Sequence, residues 1–229
     1  MLPIATNLRI AKTPWITYLI VAANVSIHLL VTWNTDFVIS DAVARTFGFE
    51  PALFGNLSAI PTLVTSMFLH GDLIHLFGNM IFLLVFGRQV ENQLERINFL
   101  TFYLATGIAA ALAHVLVQPN SSTPLIGASG AISGVLGAFF ICNPRARITL
   151  LLDPVLIYFL YRLIIRVPAW IFLPAWFLLQ ISMGLKQHGS AVAFWAHVGG
   201  FLAGALISVT VHSHIPRHRP FRSRVDHRS

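Results

Sequence analysis

Apolar residues in this chain come in long runs rather than in strict alternation with polar ones. Such runs occur near residues 15–33, 74–87, 97–117, 127–142, 167–185 and 193–212. At about 1.5 Å per residue, runs of this kind match the ~30 Å hydrocarbon core of a bilayer, so the pattern predicts membrane helices. A seventh run, 148–165, contains Asp153, Pro154 and Arg162, and hydropathy alone does not exclude it as a span. Residues 34–69 form a long first loop carrying Phe37, Phe47, Phe49, Phe54 and two prolines. A long, aromatic, non-repetitive loop is expected to rest on the membrane or to carry function. The runs show no self-similarity, which disfavours a transporter built from inverted repeats.

Charge decides the number of spans. With six spans and an inner N-terminus, the inner segments hold Arg9, Lys12, Arg88, Arg96, Arg145, Arg147, Arg162 and Arg166, then the arginine-rich tail HSHIPRHRPFRSRVDHRS. The outer segments hold only Arg45 and Lys186. A seventh span would place the tail outside, against the positive-inside rule. The expected organisation is therefore a short cytoplasmic N-terminus (1–14), a six-helix membrane domain (15–212) and a basic cytoplasmic tail (213–229). Segment 148–165 becomes an interfacial or re-entrant piece on the inner side. The first apolar run is too long for a typical cleaved signal peptide and reads as a retained helix. A basic six-span chain of this kind suggests a bacterial inner membrane.

Composition agrees with lipid as the main solvent. Of 229 residues, 56% are hydrophobic and 10% charged, against roughly a quarter charged in soluble domains. The net charge of +7 is concentrated in the tail beside the last span, where it suits anionic lipid better than nucleic acid. One cysteine, Cys142, excludes an intramolecular disulfide. GxxxxGK[ST], GxGxxG and CxxC motifs are absent, and no cofactor or metal is expected.

Three polar groups then stand out by depth. Ser129 lies roughly 21 Å above the inner boundary of its helix, His197 roughly 22 Å and His75 roughly 20 Å. Asn79 shares the face of His75 one turn deeper. Polar side chains inside a bilayer are costly and face the bundle interior. Gly130, Gly134 and Gly137 form one small-residue stripe; His197, Gly200 and Gly204 lie along another. Such stripes let helix backbones approach closely, and their meeting would bring Ser129 to His197. A serine hydroxyl becomes nucleophilic when an adjacent imidazole takes its proton. No acidic residue lies mid-helix at this depth, so the sequence permits a Ser–His dyad and offers no aspartate for a triad. The backbone N–H of Ser129, with His75 and Asn79, could supply oxyanion donors. Gly127 and Gly130 beside Ser129 would let a substrate backbone approach.

These residues resemble rhomboid intramembrane proteases. GASG at 127–130 is similar to their GxSG motif, HGDLIHLFGN at 70–79 to their His-x-x-x-Asn pattern, and AHVGGFLAG at 196–204 to their last-helix histidine and small-residue ridge. FGRQVENQLE is similar to the segment that ends their second helix. The resemblance covers roughly residues 60 to 210 in the same order. It implies an all-α polytopic bundle with Ser129 as nucleophile, His197 as general base, and His75 and Asn79 in the oxyanion hole. It also implies transmembrane protein substrates cut near the outer end of their helix, often at small residues, without metal or cofactor. Three positions depart from the pattern. A Trp-Arg pair is missing from the first loop, Ser133 stands where some members place an aromatic that stacks on the histidine, and Glu95 stands where a glycine is frequent. What orients His197 is thereby left unassigned.

Other readings stand beside this one. The glycine-rich helix could serve packing alone, Ser133 is a rival nucleophile one turn deeper, and His75 could make only a structural bond. His70 is expected at the surface near the helix mouth, His28 and His114 in packing or interhelical bonds, and Glu91 as a brace for the inner end of the second helix. At the level of the whole protein the alternatives are a non-catalytic rhomboid-like binder of membrane proteins and a metal or solute transporter. The polar stretch VQPNSSTPLIGASG is expected to dip toward Ser129 and line a wet cavity, because its backbone groups cannot face hydrocarbon.

Overall fold

The computed structural model describes residues 2–151, 164–186 and 192–212. Strand β1 (Leu2–Thr6) precedes α1 (Trp15–Thr32) and the short α2 (Asp41–Phe47) of the first loop. The loop continues through helical turns, including α3 (Thr62–Thr65), to α4 (Leu73–Phe82). A π turn at Leu83–Gly87 carries α4 into α5 (Arg88–Leu94), so that Leu73–Leu94 is one continuous helical span. Then come α6 (Arg96–Val117), α7 (Ser129–Cys142), β2 (Arg147–Leu151), β3 (Ile164–Pro168), α8 (Ala169–Leu185) and α9 (Phe194–His212). Each of the six apolar runs is a helix. Four are long and apolar enough to cross a membrane, namely Trp15–Thr32, Leu73–Leu94, Arg96–Val117 and Phe194–Val211. Ser129–Cys142 and Ala169–Leu185 are shorter apolar helices. Large apolar side chains such as Leu19, Leu30, Ile74, Leu116, Leu178 and Leu206 are exposed on the outside of the bundle, as a lipid-facing surface requires.

α7 is the centre of the fold. Every residue from Ala131 to Phe139 is buried, which is the signature of a helix surrounded by others. Its neighbours are chiefly α9 and α6. The two small-residue stripes do meet. A Cβ on Gly200 would overlap the carbonyl oxygen of Gly130, one on Gly204 that of Gly134, and one on Gly137 that of Phe201. Backbone-to-backbone contact of this kind is available only where side chains are missing on both surfaces. Gly134 also faces Thr106 of α6, whose hydroxyl donates to the Tyr103 carbonyl at 3.1 Å.

A three-stranded antiparallel sheet, ordered β1-β2-β3, is added to the helices. Hydropathy did not predict it. Leu151 pairs with Ile164 and Arg147 with Pro168. The chain therefore leaves α7 and returns to α8 at the same place, and the run 148–165 makes no net crossing between its described ends. Its middle, 152–163, lies outside the described residues, as does the basic tail 213–229. Residues of the expected free N-terminus form the outer strand, with Leu2 opposite Leu151 and Thr6 opposite Ile148. Asn7 closes the pairing: its N–H donates to the Arg147 carbonyl at 3.1 Å and its Oδ1 accepts from the Arg147 N–H at 2.7 Å.

Glu91 does something other than brace its own helix. α1 begins after Pro14 with no side-chain cap of its own, which leaves the first N–H groups of a membrane helix without partners. The buried Glu91 carboxylate supplies them from α5. It accepts from the Ile16 N–H at 3.0 Å, the Thr17 N–H at 2.8 Å and the Thr17 hydroxyl at 2.7 Å. A carboxylate at a helix N-terminus also meets the positive end of the helix dipole.

Glu95 explains its own departure from the family pattern. Its φ is +69° and ψ 165°, a region that glycine occupies freely and other residues enter at about 1–3 kcal/mol. Its side chain is exposed and pairs with Lys12, also exposed, at 3.2 Å, a pair of small worth. Glu95→Gly is therefore expected to raise stability by about 1 kcal/mol after the entropy lost by a freer unfolded chain. Thermal unfolding in detergent checks this; an unchanged or lower midpoint would remove the strain argument.

Candidate active site

The approach to Ser129 is held from both sides. Phe49 of the first loop and Leu125 exchange backbone hydrogen bonds at 3.0 and 2.7 Å, and the Phe49 ring is fully buried. Two residues on, the Gly127 N–H donates to the Ser66 carbonyl at 2.9 Å. Gly127 has φ +119°, and a Cβ there would sit 2.9 Å from Cε1 and Nε2 of His75. Both facts require glycine at this position. The chain then turns directly into α7, of which Ser129 is the first residue. The leading N–H groups of a helix have no partner within it, so Ser129 stands beside backbone donors free for an anion.

His197 reaches Ser129 from the first turn of α9. Its Nε2 lies 2.8 Å from the Ser129 Oγ, and its Nδ1 lies 2.8 Å from Oε1 of Gln180 on α8. Trp176 packs against the same ring at a centroid distance of 6.2 Å and Phe194 at 6.3 Å. Sequence reasoning reached Ser129 and His197 and missed Gln180. It sought an acid as third member, and the neighbour is a neutral amide. A signal was nevertheless present. Gln180 is the one long polar side chain in the apolar run AWIFLPAWFLLQISMGL, and it is only 7% exposed.

His75 and Asn79 flank the same place from α4. Asp72 caps that helix, accepting from the His75 N–H at 2.7 Å. The Gly71 N–H donates to Nδ1 of His75 at 3.3 Å. Since Nδ1 accepts, a neutral His75 carries its proton on Nε2, the atom that faces Gly127. Asn79 is buried, and its Nδ2 donates to the His75 carbonyl at 3.1 Å. Its second amide proton is thus available for another acceptor.

Ser129, His197, His75 and Asn79 line one cavity of about 1220 Å³. The stretch from Gln118 to Ile126 supplies part of its wall, with Gln118, Asn120 and Ser121 among the lining groups, as its polarity required. Phe82 and Trp176 provide apolar walls. Ser133 also borders the cavity, but it is 1% exposed and its hydroxyl donates to the Ser129 carbonyl at 2.7 Å. The expectation for His70 is corrected: it is fully buried, edge-on to His75 with ring centroids 5.0 Å apart. His28 is likewise fully buried. Among the described residues no group of three or more His, Cys, Asp or Glu side chains is placed to hold a metal ion.

Comparison with known proteins matches the sequence to one family. A model of the rhomboid domain matches residues 57–214. RHOMBOID-like protein 6, mitochondrial, of Arabidopsis thaliana is 31% identical over 157 residues, 55% of this chain and 50% of that protein. RHOMBOID-like protein 5 of the same plant is 27% identical over 228 residues, covering 83% of this chain and 65% of its own length. Rhomboid protease GluP of Bacillus subtilis is 32% identical over 125 residues, 55% of this chain and 24% of that protein. The chain thus spans about half the length of the curated relatives it matches.

Proposed function

Because this multi-pass membrane chain belongs to the rhomboid family, we propose that it is an intramembrane serine endopeptidase working through Ser129 and His197. The observation that carries the reading is the 2.8 Å contact between His197 Nε2 and Ser129 Oγ, two side chains 68 residues apart in sequence. The family also contains proteins without catalytic activity, and the retained hydroxyl–imidazole contact supports the catalytic reading of this chain over that one.

The geometry supports the following sequence. A substrate carbonyl enters the cavity beside the first turn of α7. His197 Nε2 takes the Ser129 proton as Oγ bonds to the carbonyl carbon. The oxyanion so formed is stabilised by the Ser129 backbone N–H, the Nε2–H of His75 and the free amide proton of Asn79. His197 then gives its proton to the leaving nitrogen as the C–N bond breaks, which leaves Ser129 acylated. Water follows through the same cavity: His197 takes one of its protons, the hydroxyl displaces Oγ, and Ser129 recovers its hydrogen.

The substrates in this proposal are membrane-anchored proteins, cut near the outer end of their transmembrane helix. The depth of Ser129 and the polar wall from Gln118 onward favour that position over a mid-membrane cut. Lipid is the surrounding partner, and the proposed chemistry runs through the side chains of Ser129 and His197. The arginine distribution supports both termini lying in the cytoplasm, with residues 15–212 as the membrane domain. It also favours a bacterial inner membrane, although several relatives, RHOMBOID-like protein 6 among them, are named as mitochondrial. The test is cleavage of a tagged transmembrane substrate by purified protein in detergent or vesicles. Mass spectrometry of the products should place the cut in the outer part of the substrate helix. Intact substrate, across several transmembrane sequences with small residues at that depth, would contradict the proposal.

A further inference from the structure

We infer that Gln180 is the positioning residue of the Ser129–His197 pair: its side-chain carbonyl fixes the tautomer and rotation of His197. The inference rests on the protease reading for its consequence in catalysis, but the tautomer it assigns can be measured independently. A neutral imidazole carries one proton. For Nε2 to accept from Ser129 Oγ at 2.8 Å, the proton must be on Nδ1,. Nδ1 lies 2.8 Å from Gln180 Oε1, an acceptor that can only be matched by a ring N–H. The two contacts are thus consistent with one tautomer alone, the one in which Nε2 is free to act as base. Without Gln180 the Nε2–H form competes, and its Nε2 cannot take a proton.

The place of Gln180 argues against a purely architectural role. An amide on an apolar membrane helix costs free energy unless it is bonded, and here the side chain is turned inward onto His197 rather than toward lipid,. A carboxylate would orient the ring equally well and would also stabilise the imidazolium, but at this depth it would carry a larger desolvation cost. The amide secures orientation without charge. Ser133, one turn after Ser129, has no ring to stack on His197. Trp176, one turn before Gln180 on α8, lies 6.2 Å from the same ring. One helix therefore holds His197 both by its edge and by its face. Among the described residues, the ionisable groups near enough to act on His197 are His75 of α4 and His114 of α6.

The test compares wild type, Gln180→Leu and Gln180→Glu on a transmembrane substrate, with nitrogen-15 spectra of the His197 ring. Gln180→Leu should lower kcat by roughly 10- to 100-fold, the value of a hydrogen bond to a group that becomes charged, as His197 does when it takes the Ser129 proton, with KM within about twofold of wild type. Its His197 spectrum should shift from the Nδ1–H form toward Nε2–H. Gln180→Glu should retain the orientation and most of the activity. Its carboxylate favours the imidazolium, so the acid limb of kcat against pH should move to higher pH. Wild-type kcat, pH profile and tautomer in Gln180→Leu would overturn the inference and leave the protease reading standing. An inactive wild type would instead contradict the protease reading. The tautomer comparison would then still decide the role of Gln180, since an Nε2–H form in wild type would overturn it.

Discussion

Ser129→Ala is expected to abolish cleavage while leaving the bundle folded. In the structure the hydroxyl is 2.8 Å from His197 Nε2, and it sits at the wall of a cavity, not in a packed interior. Removing one oxygen there deletes no packing, and the imidazole it leaves can be met by water, so stability should change by less than about 1 kcal/mol. The chemical loss is of another order. Without a nucleophile the acyl-enzyme path is closed, and kcat should fall by at least roughly 10⁴-fold. Ser133 is not a substitute, because its hydroxyl is committed to the Ser129 carbonyl and is almost wholly buried. Turnover of a transmembrane substrate, measured beside thermal unfolding of the same preparation, checks both halves. A mutant that cleaves at the wild-type rate would remove Ser129 from the reaction.

His197→Ala carries the second large effect. It removes the base that takes the Ser129 proton and the acid that protonates the leaving nitrogen, and it orphans Gln180 on α8. A loss in kcat of about 10³- to 10⁴-fold is expected. Because the two residues act as a unit, the double variant with Ser129→Ala should be no worse than the more damaging single change. Additive losses measured in that cycle would mean that the two side chains act in separate steps. The fold should survive this change less well than Ser129→Ala, since the ring also packs against Trp176 and Phe194.

What could be read from the sequence follows from the range over which each signal acts. The spans were visible because membrane helices are specified by local runs. The meeting of α7 and α9 was visible because both stripes repeat at helical spacing, and the contacts at Gly130, Gly134 and Gly137 follow from it. The expectation that Ser129, His197 and His75 share one depth needed only a rise per residue and a boundary, and the three residues line one cavity. Gln180 escaped because its partner lies on another helix, and because a search for carboxylates passes over an amide. The strand Leu2–Thr6 escaped for a similar reason: five residues carry no usable period, and their partner strand begins at Arg147. Glu91 was expected to cap or brace the inner end of the second helix; that it does so by capping α1 was not legible, since nothing local says that a carboxylate on α5 will meet the start of α1. His70 was placed at the surface, at the mouth of its helix, and it is instead buried edge-on against His75.

The most direct measurement of the central claim is covalent trapping. Purified protein is treated with a fluorophosphonate, which reacts with activated serine hydroxyls, and the adduct is located by tandem mass spectrometry. The structure predicts a single adduct on Ser129, formed far more slowly in His197→Ala and absent in Ser129→Ala. An adduct on Ser133 or any other serine, or undiminished labelling after loss of His197, would contradict an active site built from Ser129 and His197.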